Sequence, residues 1–277
     1  MDQAISGKIG KYEVTRKLSQ GGMGVVYLGF DPYNNRPVAI KVALESAFQD
    51  EEVKKKYQKM FFNESRVAGM LDHPNILAVY DAGVDENRYY IVMEYVSGSA
   101  TLKNHCSADK LLPIEKVVEI IFKCCKALDY AHRLGVIHRD IKPGNIMLTG
   151  DMDVKIGDFG IAQIIRAGDT QTQLMGFVGS PCYMSPEQVK EEPLTSQTDL
   201  FSLGIVMYEL LTGRSPFHAD NFSSVVRKVL FEDPPPLRLY RSDIPKPLEV
   251  IVMKALSKKT SERYKTGTQF STDLMLT

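Results

Sequence analysis

Nothing in this sequence is apolar enough to cross a bilayer. The longest apolar run, Leu203 to Leu211, falls well short of the roughly 20 residues a spanning helix needs, and it carries Glu209. The N-terminus is polar and has no apolar signal core. Cysteine is scarce. Cys106, Cys124, Cys125 and Cys182 show no metal-ligand spacing, so they predict small, mostly buried thiols in a reducing compartment rather than a disulfide framework. An excess of one charge is also lacking: 34 Lys and Arg balance 34 Asp and Glu, which gives no sign of a global nucleic-acid or membrane-surface binder. There are no internal repeats or low-complexity tracts, and Pro234-Pro235-Pro236 reads as a local connector. What remains is an ordinary globular composition, 44% hydrophobic and 25% charged over 277 residues, with ample core for one large domain or two small lobes. The expected location is cytoplasmic, with no nucleic-acid partner and no membrane contact within this chain. It is open to being the cytoplasmic domain of a longer, membrane-anchored protein.

The first third reads as strands. Tyr12 to Leu18 alternates polar and apolar, a glycine cluster follows, and Val25 to Leu28 returns. Pro37 to Val42 is a third strand. Asp50 to Leu71 lacks Gly and Pro until Gly69 and predicts one long helix. Two further strands are expected near Ile76–Tyr80 and Tyr89–Tyr95. After Gly98 helical stretches dominate, at Pro113–Leu134, Asp199–Thr212, Phe222–Leu230 and Leu248–Leu256. The class is α+β: a small antiparallel β lobe with one long helix, about 8–96, and a larger, mainly helical lobe, about 97–277.

The richest chemistry flanks one short hairpin. Ile146-Met147-Leu148 is a strand, Thr149-Gly150-Asp151 a turn and Val154-Lys155-Ile156 the returning strand. A hairpin brings its open ends together, so Asn145 before it lies beside Asp158 after it. An amide oxygen and a carboxylate at one point suit Mg²⁺, which keeps waters and phosphates for its other positions. Asp140 and Lys142 sit on the same loop. Asp140 can take or orient the proton of an incoming hydroxyl, and Lys142 can neutralise charge developing on a transferred phosphoryl group. Residue types, order and spacing fit phosphoryl transfer.

Ser19-Gln20-Gly21-Gly22-Met23-Gly24 joins the first two strands. Glycines let backbone N–H groups approach phosphates, but a glycine-rich turn alone is weak evidence. Lys41 changes the balance. Placed inward at the end of Val38-Ala39-Ile40, its ammonium needs anionic company, for which Glu64 on the long helix and nucleotide phosphates are the candidates.

With these motifs in this order, the chain resembles a eukaryotic-type protein kinase over essentially its whole length. His73-Pro74-Asn75-Ile76, His138-Arg139-Asp140, Asp158-Phe159-Gly160, Ser185-Pro186-Glu187, Asp199 to Gly204 and Arg263 add to the resemblance. Gly21-Gly22-Met23-Gly24, Met93-Glu94-Tyr95-Val96 and Ser185-Pro186-Glu187-Gln188 are similar to bacterial serine/threonine kinases. The resemblance implies a bilobal fold with ATP·Mg²⁺ in the cleft. Val26 and Ala39 would lie above adenine and Met147 below, with Met93 as gatekeeper and backbone groups of Glu94 and Val96 bonding the base. It implies protein substrates with serine or threonine acceptors, because Lys142 is the residue that class generally carries. It further implies that Glu187 pairs with Arg263, that Asp199 bonds the backbone of the loop bearing Asp140, and that Ser180 supplies a hydroxyl where threonine is usual.

Ser19 replaces the first loop glycine and Ser185 the alanine of Ala-Pro-Glu; neither change removes a chemical group. Between Asp158 and Glu187, Thr170 and Thr172 are candidate autophosphorylation sites whose phosphate could pair with Arg139. Val53, Tyr57, Met60 and Phe61 on the long helix read mostly as core, and a share of them is a candidate small-lobe homodimer surface. Two other functions compete. A binding-only pseudokinase is disfavoured by the presence of Lys41, Asp140, Asn145 and Asp158. A small-molecule phosphotransferase is disfavoured by Glu187 and Arg263.

Overall fold

The computed structural model describes residues 7–21, 24–43, 51–86, 88–98, 100–159 and 181–276. They divide into two units. The first takes residues up to 73 and 77–97; the second takes 74–76, 98–159 and 181–276.

The first unit is a six-stranded antiparallel sheet with one helix. Its strands are β1 (Gly7–Ile9), β2 (Tyr12–Gly21), β3 (Gly24–Asp31), β4 (Arg36–Val42), β5 (Val79–Asp85) and β6 (Arg88–Glu94), in the order β1-β2-β3-β4-β6-β5. Directly paired residues share a face. Tyr27 opposite Ile40 and Ile40 opposite Val92 therefore point one way, into a core that includes Tyr12, Val14, Val38, Val42 and Tyr90. Val26 opposite Lys41, Lys41 opposite Ile91, and Ala39 opposite Met93 point the other way. Residues Val38 to Val42 are buried whichever way they point, which explains a continuous apolar run interrupted only by Lys41. The helix α1 (Glu51–Gly69) lays Phe61 against Tyr89, ring centroids 5.0 Å apart.

The strand expected near Ile76–Tyr80 is displaced. β5 begins at Val79, and Ile76 instead makes an isolated parallel bridge to Ile156 within the second unit, where its side chain is buried. Ile76 is apolar because it belongs to a core, and that core is not the sheet's. β1 is also new, being too short for periodicity to reveal.

The second unit holds α2 (Ile114–Arg133), α3 (Pro186–Val189), α4 (Ser196–Thr212), α5 (Phe222–Phe231), α6 (Lys246–Ala255) and α7 (Gly267–Leu274). A three-stranded sheet accompanies them, β7 (Ala100–Thr101), β8 (Ile146–Leu148) and β9 (Val154–Ile156), in that order. α4 is apolar nearly all round and buried nearly all along, as a central helix must be. Its start is fixed by Thr195, which forms a reciprocal cap with Thr198. α2 packs against α4, α7 and β9. α7 comes so close that a Cβ at Gly267 would lie 2.3 Å from the carbonyl oxygen of Cys125. Cys124 and Cys125 are free and fully buried in this packing, and burial pushes the Cys124 thiol up to about 12. Among the described residues no helix is long and apolar enough to cross a membrane.

Candidate active site

The hairpin β8–β9 forms as its turn chemistry requires, with Ile146 opposite Ile156 and Leu148 opposite Val154. Its open end is closed by the Gly157 N–H donating to the Asn145 carbonyl at 2.9 Å, so Asp158 follows directly beside Asn145. Asn75 holds the other side: its carbonyl accepts from Ile156 N–H at 2.9 Å, and its side-chain amide donates to the Val154 carbonyl at 2.9 Å.

Asp140 and Lys142 converge ahead of the hairpin. Lys142 Nζ lies 2.6 Å from Asp140 Oδ2, and Asn145 Nδ2 donates to the same oxygen at 3.0 Å and to the Asp140 carbonyl at 2.8 Å. Both side-chain contacts fall on Oδ2; among the described residues Oδ1 takes none. Because the Asn145 amide nitrogen is committed to Asp140, the amide orientation is assigned and its oxygen is left as an acceptor. A neutral amide oxygen and the carboxylate of Asp158, the residue after the Gly157 that closes the hairpin, are donor types a hard cation takes, and two protein ligands would leave room for phosphates and waters. Among the described residues no cluster of three or more His, Cys, Asp or Glu competes for a metal.

The backbone carrying Asp140 is held group by group. Asp199, 0% exposed, accepts from His138 N–H through Oδ2 and from Arg139 N–H through Oδ1, each at 2.8 Å. His132 Nε2 lies 2.7 Å from the same Oδ2. His138 is also fully buried; its Nε2 lies 2.8 Å from the Gly157 carbonyl and its Nδ1 accepts from Asp140 N–H at 3.2 Å. That pattern requires the Nε2–H tautomer and ties the loop to the hairpin's exit. The Phe159 ring packs edge-on against it at 4.6 Å. Such bracing is needed, because Arg139 and Asp158 both sit at positive φ, 69° and 63°.

Glu187 and Arg263 form a buried bidentate pair at 2.8 and 2.9 Å. Burial alone would raise the Glu187 carboxyl, but the Arg263 guanidinium and the Thr198 hydroxyl outweigh it and hold it below the usual range. Arg263 also donates to the carbonyls of Ser257 and Lys258. α3, which carries Glu187, is thereby pinned to the helical core.

In the first unit, β2 ends at Gly21 and β3 begins at Gly24, paired with each other; Gly22 lies outside the described residues. Gly24 has φ 131°, and a Cβ there would lie 2.1 Å from the Val42 carbonyl oxygen, so no other residue fits. Ser19 continues the strand opposite Val26. Lys41 is 8% exposed on the face it shares with Val26, Ala39 and Met93. Glu64 is half-buried on α1. Glu94 N–H donates to the Ala78 carbonyl at 2.9 Å, and Val96 and, in the second unit, Met147 are half-buried. Thr170, Thr172 and Ser180, and the side chains of Val53 and Tyr57, lie outside the described residues.

A family model described as a protein kinase domain matches residues 12–273. The chain belongs to the protein kinase family. Curated relatives of this kinase domain include the serine/threonine-protein kinase PknB of Mycobacterium leprae, 39% identical over 96% of this chain and 42% of that protein. Another is the serine/threonine-protein kinase PrkC of Bacillus subtilis, 37% identical over 96% of this chain and 40% of that protein. The chain thus spans well under half the length of these relatives. Among solved structures, a mutant form of the PknI kinase domain of Mycobacterium tuberculosis matches with a TM-score of 0.77 at 28% identity. That match covers 100% of this chain and 99% of the other.

Asn75, His132 and Gln188 also hold the kinase site together; in the sequence Asn75 and Gln188 stood only within motifs and His132 in none, with no partner indicated for any of them. Gln188 donates from Nε2 to the Arg139 carbonyl at 2.8 Å. Each acts on a partner remote in the chain, so spacing could not reveal it.

Proposed function

We propose that this kinase domain transfers the γ-phosphoryl group of ATP to serine or threonine hydroxyls of proteins. The observation that carries the reading is the Asp140 carboxylate, held on one oxygen by Lys142 and Asn145 with the other oxygen open. An incoming hydroxyl donates to that open oxygen, which orients it and accepts its proton as the new O–P bond forms and the bond from the γ-phosphorus to the β–γ bridging oxygen breaks, with ADP leaving. Lys142, salt-bridged to Asp140, offsets negative charge on the moving phosphoryl group. Mg²⁺, held by the Asn145 amide oxygen and the Asp158 carboxylate, supplies neutralisation of the phosphates when bound.

The same reading gives Lys41 the α- and β-phosphates, with Glu64 as its partner in the productive state, and the turn Gly21 to Gly24 their backbone approach. Val26, Ala39, Met93 and Met147 contact adenine, and Glu94 and Val96 bond it through their backbones. Lys142 and the similarity to serine/threonine-protein kinases favour serine or threonine over tyrosine. Regulation by autophosphorylation at Thr170 and Thr172, a cytoplasmic location and pairing through the small lobe complete the proposal.

Calorimetric titration with ATP tests it. Affinity should rise on adding Mg²⁺ and that gain should vanish in Asp158→Asn; a gain that persists in the variant contradicts the metal assignment.

A further inference from the structure

We propose that Gln188 is a positioning residue for Asp140, acting through the Arg139 carbonyl; this rests on the reading of Asp140 above. Arg139 occupies the left-handed region at φ 69°, a conformation that a residue with a Cβ holds only when its surroundings over-determine it. Asp199 secures the N–H side of this residue at 2.8 Å. The carbonyl side, which leads directly into Asp140, is secured by Gln188 Nε2 at 2.8 Å. The peptide plane between Arg139 and Asp140 is thus held at its N–H by His138 Nδ1 at 3.2 Å and at its carbonyl by Gln188, the shorter of the two contacts.

The Gln188 amide cannot turn over. Its Oε1 accepts from Ser185 N–H at 3.0 Å, an interaction only an oxygen can make, so the nitrogen must face Arg139. Ser185 Oγ in turn accepts from Gln188 N–H at 3.3 Å, completing a reciprocal cap at the start of α3. Two separable jobs meet in one side chain: Oε1 caps a helix and Nε2 aims a peptide. Serine at 185 and glutamine at 188 are thereby explained together. The segment that Glu187 and Arg263 pin to the core is coupled to the catalytic carboxylate by one amide.

Gln188→Glu separates the jobs. A carboxylate keeps the cap and suits the helix start, but it turns an oxygen toward the Arg139 carbonyl and removes the donor. Steady-state kinetics with a protein substrate and urea unfolding are measured for wild type, Gln188→Glu, Gln188→Met and Ser185→Ala. The expected result is that kcat falls roughly tenfold in Gln188→Glu and about fivefold in Gln188→Met, the weight of a lost hydrogen bond, with KM for ATP unchanged. Ser185→Ala, which loses only part of the cap, should lose stability and keep kcat within about twofold. Gln188→Glu or Gln188→Met with wild-type kcat overturns the inference. So does Ser185→Ala with an equal loss of kcat, which would make the cap the cause. Wild type without transfer overturns the underlying reading as well, and so distinguishes the two failures.

Discussion

Asp199 and Arg139 are joined at 2.8 Å through Oδ1 and the backbone N–H, and that contact holds Arg139 at φ 69° immediately before Asp140. The carboxylate is fully buried, and its other oxygen accepts from His138 N–H. Replacing Asp199 with Asn presents an NH₂ to one of two N–H donors. Asp199→Asn should lower kcat by roughly tenfold or more and stability by about 1–3 kcal/mol, the cost of an unsatisfied buried donor. Kinetics and urea unfolding on one preparation check both; a variant stable as wild type with unchanged kcat contradicts this role.

Lys142 contacts Asp140 Oδ2 at 2.6 Å while remaining partly exposed. Removing its charge should act on the transfer step and not on nucleotide binding. Lys142→Met is expected to reduce kcat by roughly 10²–10³ with ATP affinity unchanged. Equal losses in kcat and affinity would place Lys142 on the nucleotide instead.

The Glu187–Arg263 pair is buried on both sides, so truncating one partner strands the other. Arg263→Ala should cost about 3–5 kcal/mol. The Glu187 carboxyl titrates below its ordinary value, so its stabilising contribution is full above that value and fades as pH falls through the depressed one. The stability gap between wild type and Glu187→Gln should therefore shrink on acidification from about pH 7 to about pH 4. A gap independent of pH counts against the ion pair.

Lys258 stacks over Phe217 at 3.8 Å and donates to the Lys228 carbonyl at 3.0 Å. Burial pushes its ammonium down to about 8, against the pull of Asp233. The unfolded chain then binds the extra proton between about pH 8 and 10.5, and stability rises with pH across that window. Relative to Lys258→Met, wild type should gain about 1 kcal/mol between pH 7.5 and 9.5, a figure reduced for partial solvent access. Urea midpoints at the two pH values decide it, and a falling difference would refute the sign.

Local chemistry was legible from the residues themselves, and remote chemistry only where the family resemblance supplied it, as for Glu187 with Arg263 and Asp199 with the loop before Asp140. The hairpin Ile146 to Ile156 formed where its turn residues put it, because register and open end follow from a few adjacent residues. Lys41 lies inward, as a lysine breaking an apolar run implies. Whether Lys41 and Glu64 pair depends on how α1 is set against the sheet and not on either residue's own segment, so neither segment alone could show it. The strand expected at Ile76 moved because an apolar residue does not say which core it serves. Gln188 and His132 reach partners 49 and 67 residues away, beyond any periodicity.

The central claim is that Asp140 directs phosphoryl transfer from ATP to a protein hydroxyl. Its most direct test is incubation with γ-labelled ATP, Mg²⁺ and a generic basic protein, followed by phosphoamino-acid analysis of wild type and Asp140→Asn. The account predicts label on serine and threonine with wild type, and a rate lower by roughly 10²–10⁴ in the variant. No label with wild type, or an undiminished rate in Asp140→Asn, would contradict it.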